Sequence, residues 1–280
     1  MLPNSDDENV EKIRDELIKS SPSTKRKVFE KFVSAALGSI PWVGGFLSAA
    51  ADFKFEEGDS REDNLQTQWL EEHTRKLQRL SETLNYIASR FEKLGDEIDE
   101  RIQSEQYLDI VRKGFRTWDT ADTDEKRKYI ANLIANAGGT KLTSDDVIRL
   151  FIDWLDVYHE AHLAVIREIY QNPGSTRYDI WEAIYDGFPR EDSAEADLYR
   201  LLISDLSVGR VIRQARDTTA DGQFLRKPRA KKSAFRPTTM ESAFEDAKPY
   251  VLTELGKQFV HYAMSDVVRR IETESDTNSA

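Results

Sequence analysis

Leu77, Leu80, Leu84, Ile87, Phe91, Leu94 and Ile98 follow one another at spacings of three and four, with polar and charged residues between them. An α-helix turns once every ~3.6 residues, so all seven lie on one stripe. The pattern predicts a long amphipathic helix over 63–104. A stripe of that length must be covered, either by other helices of the same chain or by a second copy in a coiled coil. Either way the chain is bound to a helical architecture.

The flanking segments extend this pattern. The eight prolines and thirteen glycines of the 280 residues fall mostly between periodic segments. Residues 1–27 read as a partly disordered polar lead with a short helix over Val10–Lys19. Leu108, Val111, Phe115 and Trp118 form a further stripe. Thr123 is placed to cap a helix over Lys126–Ala137 that Gly138-Gly139 would stop. Thr143-Ser144 and the acidic pair Asp145-Asp146 open another helix, whose apolar face continues to Ile169. It ends at Asn172-Pro173-Gly174.

After residue 174 the elements shorten. Helices are predicted near 176–186 and 193–207, followed by a β-like run at Val208–Gln214. A long polar segment covers 215–248. Tyr250-Val251-Leu252 reads as a strand, and Thr253 caps a last helix to about Ile271. Three helices, a strand, a long loop, a strand and a helix is the order of a winged helix. The predicted organisation is mainly α: a helical bundle at 28–142, a winged-helix-like domain with a small β-hairpin at 143–271 and a disordered tail at 272–280.

Residues 32–51 carry no charge, although about a third of the chain is charged. Pro41 and Gly44-Gly45 predict a corner near 40–45. It cuts the stretch into two arms of roughly 12–15 Å, each too short to cross a bilayer of ~30 Å. Phe32, Ser34, Gly38, Pro41, Trp42, Gly44, Gly45, Phe46 and Ala49 define this apolar hairpin, 28–53. Ser34/Gly38 and Gly45/Ala49 have the small-x-x-x-small spacing that lets helices approach closely. Lys25, Arg26, Lys27 and Lys31 precede it and suit anionic lipid. A re-entrant membrane hairpin and a tight helix pair inside a bundle both fit.

The absence of cysteine excludes thiolate chemistry, and the net charge of −11 repels nucleic acid and anionic lipid at long range. His159-Glu160-Ala161-His162 has its histidines at i and i+3, whereas a zinc-protease helix needs i and i+4. Gly-rich phosphate loops and nucleophile elbows do not occur. The reading is non-enzymatic, with no cofactor and no metal. The third helix of the winged-helix order, SAEADLYRLLISDLS, carries net −2 and would repel a DNA groove. The wing is basic: Arg226, Lys227, Arg229, Lys231, Lys232 and Arg236 suit DNA backbone, anionic lipid or an acidic partner. The opening MLPNSDDEN lacks the basic and apolar regions of a signal peptide, so a cytoplasmic location is expected.

Ile130-Ala131-Asn132-Leu133-Ile134-Ala135-Asn136-Ala137, followed much later by Leu252-Thr253-Glu254-Leu255-Gly256-Lys257-Gln258-Phe259, resembles the bacterial abortive-infection alpha proteins over roughly 124–264. That resemblance implies a phage-defence setting and supplies no catalytic residues. A sheltered apolar hairpin beside a long amphipathic helix also resembles, in design, the helical pore-forming effectors. Two functions follow. One is a conditional membrane effector that releases the hairpin, cytoplasmic until activation brings it to an anionic membrane. The other is a soluble winged-helix adaptor or regulator with the hairpin as permanent core. The expected partners are an unidentified protein, a second copy through the 77–98 seam and, through the wing only, nucleic acid.

Overall fold

A computed structural model describes residues 26–43, 62–94, 98–140, 142–216, 219–225 and 241–264. The helix predicted at Val10–Lys19, the hairpin residues Gly44, Gly45, Phe46 and Ala49, the six basic wing residues and the tail lie outside this range. The chain divides into two units, one of 1–157 with 262–280 and one of 158–261. The described residues are mainly helical, with one two-stranded sheet.

The first unit contains α1 (Arg26–Leu37), α2 (Glu62–Leu94), α3 (Asp99–Gln103), α4 (Glu105–Thr120), α5 (Asp124–Gly139) and α6 (Asp145–Val157). The seam residues Leu80, Leu84, Ile87, Phe91 and Ile98 are buried, and α2 packs against α5 of the same chain. The helix predicted over 63–104 is seen as α2 up to Leu94 and as α3 from Asp99 to Gln103, with Ile98 and Ile102 buried. Ser104 ends it: it takes extended geometry and its hydroxyl accepts the Tyr107 N–H to open α4.

Helix α5 forms the centre of this unit, with Tyr129 through Gly138 all buried. Thr123 caps it as predicted, accepting the Lys126 N–H. Gly138 and Gly139 do not stop it: they are its last two residues. A Cβ on Gly138 would sit 3.0 Å from the Phe91 ring, and one on Gly139 would sit 2.4 Å from Leu94 Cδ1. These glycines admit α2 side chains at close range. The helix ends at Thr140, whose backbone is extended.

The first apolar arm is part of this core. Phe29, Phe32, Val33, Leu37, Ile40 and Val43 are all buried. The corner comes slightly earlier than predicted. Gly38 N–H donates to Ser34 O, and the Ser39 hydroxyl donates to Ala36 O at 2.7 Å. Pro41 then opens a further helical segment, at a first-turn position where its missing N–H costs little.

A helix predicted to run from 145 to 171 is two helices, α6 and α7 (Glu160–Gln171). His159 is extended, and its N–H donates to His162 Nδ1 at 3.2 Å, opening α7. Apolar residues recur at helical spacing on both sides of the break, buried in each unit separately. The first unit includes α6 and the second begins with Tyr158.

The second unit holds α7, α8 (Arg177–Ile184), α9 (Ala194–Val208), β1 (Ile212–Gln214), β2 (Tyr250–Leu252) and α10 (Glu254–Phe259). The strands pair antiparallel, with Ile212 opposite Leu252 and Gln214 opposite Tyr250. Helix α7 packs on α8, α9 and β2. The part of the predicted β-run at 208–210 is the end of α9 and a turn in which Arg210 has φ of 60°. After α10, Val260–Met264 makes a π-helical turn.

The Leu252–Phe259 motif locks sheet to helix. Leu252 and Phe259 are buried. Thr253 accepts the Gly256 N–H and donates its hydroxyl to Arg210 O at 2.6 Å. Gly256 passes so close to β1 that a Cβ would lie 2.2 Å from the Val211 carbonyl oxygen, and that oxygen already accepts the Thr253 N–H. Backbone cannot yield as a side chain can. Gly256→Ala should therefore destabilise the second unit by about 3 kcal/mol, read as a lower urea midpoint for its transition.

Candidate partner-binding groove

The sequence between Tyr178 and Phe188 places Tyr178, Trp181, Tyr185 and Phe188 at spacings of three, four and three. Thr176 starts α8 with a reciprocal cap: its hydroxyl accepts the Asp179 N–H, and Asp179 Oδ2 accepts the Thr176 N–H at 2.8 Å. This fixes the helix that carries Trp181. Beyond α8 the chain turns back through Gly187, whose φ of 69° suits glycine. The Trp181 indole N–H donates to Gly187 O at 2.7 Å and holds that turn.

An aromatic cluster grows from this anchor. Tyr185 stacks on Trp181 at 4.3 Å, and Tyr178 stacks on Phe188 at 4.5 Å. Tyr199, on α9, meets Trp181 edge-on at 5.1 Å. Phe244, just ahead of β2, packs against Trp181, Phe188 and Tyr199. The buried Tyr199 hydroxyl donates to Arg177 O at 2.7 Å. Burial raises its pKa far above the ordinary phenol range, with Arg177 opposing weakly, so it stays a neutral donor. Burial raises the Tyr185 pKa as well.

Between α8, the Gly187 turn and α9 lies a groove of ≈ 440 Å³, within the range of ligand pockets. Trp181, Tyr185, Asp186, Gly187, Phe188, Pro189, Glu195, Leu198, Tyr199 and Leu202 line it. Leu198 is 50% exposed, and Leu201, one turn further on, 53%. Two large aliphatic side chains thus stand half in water on one helix face.

One rim is braced by Glu191. It accepts the Ala243 N–H at 3.0 Å and hydrogen bonds from Ser242 and Arg200. Burial opposes its charged form, but these three donors outweigh it and hold the carboxyl below its usual range. Glu195 is likewise held low, by its own backbone N–H and by Ser193. Two carboxylates, Asp186 and Glu195, share this groove.

The residues singled out from sequence lie elsewhere. Phe32 is fully buried in the bundle and touches Phe29, Phe91 and Phe115. Ser34, Gly38 and Pro41 are exposed, and Trp42 is half-buried with its indole N–H on Asp119 Oδ1 at 2.6 Å. Ser34 and Gly38 line an open cleft with Leu108 and Arg112 of α4. His159 and His162 have ring centroids 6.0 Å apart, and among the described residues no group of three ligating side chains could hold a metal. No described helix is long and apolar enough to cross a membrane. No protein-family model, curated protein or solved structure matches the chain.

Proposed function

We propose that the chain is a non-enzymatic interaction protein, in which a helical bundle supports a winged-helix-like C-terminal module that docks a partner protein through the α8–α9 groove. The observation that carries this reading is the outward face of α9. A DNA reader would present basic donors there, whereas α9 presents Leu198, Leu201 and the anionic Glu195. The order α7, α8, α9, β1, β2, α10 and the antiparallel pairing of the strands support the winged-helix part.

The adaptor reading is favoured over hairpin release by a comparison of magnitudes. Phe29, Phe32, Val33, Leu37, Ile40 and Val43 are buried; exposing six such side chains costs about 12 kcal/mol, at roughly 2 kcal/mol each. That is comparable to the whole stability of an ordinary domain, roughly 5–15 kcal/mol. Withdrawing the first arm would amount to unfolding the bundle. The seam of α2 is likewise buried against α5, so a homo-oligomer would use another surface. The resemblance to abortive-infection alpha proteins supports a phage-defence setting for this adaptor.

A photo-crosslinking residue at position 198, introduced in cells under phage challenge, should give a discrete protein adduct that Leu201→Asp removes. A chain that instead retards DNA, with the effect lost on replacing Arg226, Lys227, Arg229, Lys231 and Lys232, would establish the nucleic-acid version and overturn the protein-docking one.

A further inference from the structure

From Arg177 to Val208 the chain carries eight carboxylates and three arginines, a net −5. Each arginine is already committed: Arg177 to Glu241, Arg190 to Asp192, Arg200 to Glu191 and Asp197. Asp186 and Glu195, which line the groove, have no cationic partner among the described residues. Carboxylates at the mouth and aromatic walls behind them form a combination with a specific complement. Arginine fits it: an aliphatic stem lies on aromatic faces, a planar guanidinium stacks and a positive head meets a carboxylate.

Resting on the groove reading above, we propose that its occupant is a cationic segment of a partner protein, which inserts an arginine between Tyr185 and Phe188 toward Asp186 and Glu195 and lays an adjacent aliphatic residue on Leu198 and Leu201. The geometry is set before binding, because the Trp181 indole is tied to Gly187 and Phe244 backs the wall. The net negative face repels phosphate, which excludes nucleic acid and anionic lipid as occupants and speeds the approach of a cationic segment.

The test uses the full chain and a fluorescein-labelled twelve-residue peptide with arginine and leucine at helical spacing. A counterpart has every arginine replaced by glutamate. Anisotropy titration should show the arginine peptide binding at least about tenfold more tightly, a difference of about 1.4 kcal/mol. The preference should shrink as salt rises. Asp186→Asn with Glu195→Gln should weaken the arginine peptide about tenfold, and Leu198→Asp should abolish binding. All three side chains are exposed, and an unchanged thermal midpoint confirms that the variants fold.

Equal binding of both peptides, or an affinity unmoved by Asp186→Asn with Glu195→Gln, would overturn the cationic assignment while the groove stands if Leu198→Asp still abolishes binding. Arginine-peptide binding that survives Leu198→Asp would place the contact elsewhere and overturn the groove as well, as would no binding of either peptide. A tenfold gain on replacing Arg226, Lys227, Arg229, Lys231 and Lys232 by serine would assign the groove to the chain's own basic segment instead of a partner.

Discussion

Phe32→Ala should destabilise the first unit by about 4 kcal/mol. Phe32 has no exposed surface and touches three aromatic rings, at centroid distances of 5.5 Å (Phe29), 5.4 Å (Phe91) and 6.0 Å (Phe115). These partners come from its own helix, α2 and α4, so no single element can move to fill the void. For a unit of this size the thermal midpoint should fall by about 8–16 °C. Calorimetry checks the value. Dye-loaded anionic liposomes check its meaning: the intact chain should leave them sealed. Leakage by the intact chain, or a loss below about 1 kcal/mol for Phe32→Ala, would show that the arm leaves the core readily and would restore the membrane-effector reading.

The second large effect belongs to a polar cluster in the same unit. Arg90 is 9% exposed, and among the described residues it has no carboxylate partner. It donates to Tyr86 Oη at 2.8 Å, to Asn132 Oδ1 at 3.2 Å and to Asn136 Oδ1 at 2.7 Å. The asparagine amides then donate onward, Asn132 to Ala263 O and Asn136 to Tyr262 O. The two asparagines of the 130–137 motif, one turn apart, thus bridge a buried cation to the returning C-terminal backbone. Asn136→Leu removes a charge-assisted acceptor and orphans the Tyr262 carbonyl, which should cost about 4 kcal/mol. Arg90→Met should cost about 1 kcal/mol, since the charge leaves with its desolvation penalty. In the double variant the guanidinium no longer needs its acceptor, so the chain should be more stable than Asn136→Leu alone. Urea denaturation of all four forms measures the coupling. Additivity within about 0.5 kcal/mol would show that Arg90 does not depend on Asn136.

The helix seam of Leu77–Ile98, the cap at Thr123 and the Tyr250–Leu252 strand with its Thr253 cap were legible because each is set by a few adjacent residues. The break near 158 was not. Apolar residues recur at helical spacing on both sides of it, Leu155 buried in the first unit and Leu163 in the second, so their spacing alone does not reveal it. Gly138-Gly139 carries the usual stop signal, but the nearby Phe91 and Leu94 decide its use, and they arrive from a distant helix. Arg90 follows Ile87 and precedes Phe91, so by composition it reads as a surface charge beside the seam. Only the positions of Asn132 and Asn136 make it an interior one. The groove had a visible trace, the aromatic stripe at 178, 181, 185 and 188, but its carboxylates and Phe244 converge only through the fold.

Tyr262 and Ala263 belong to the first unit although residues 158–261 form the second. This has a consequence during synthesis. The polypeptide leaves the ribosome at roughly 5–20 residues per second. The first unit must then wait on the order of 5–20 s, while the second is made, before the carbonyls that satisfy Asn132 and Asn136 exist. Through that interval the nascent bundle holds a buried cation site with an open end. A co-translational chaperone, or the early folding of residues 158–261 itself, has that window in which to determine the yield of finished protein.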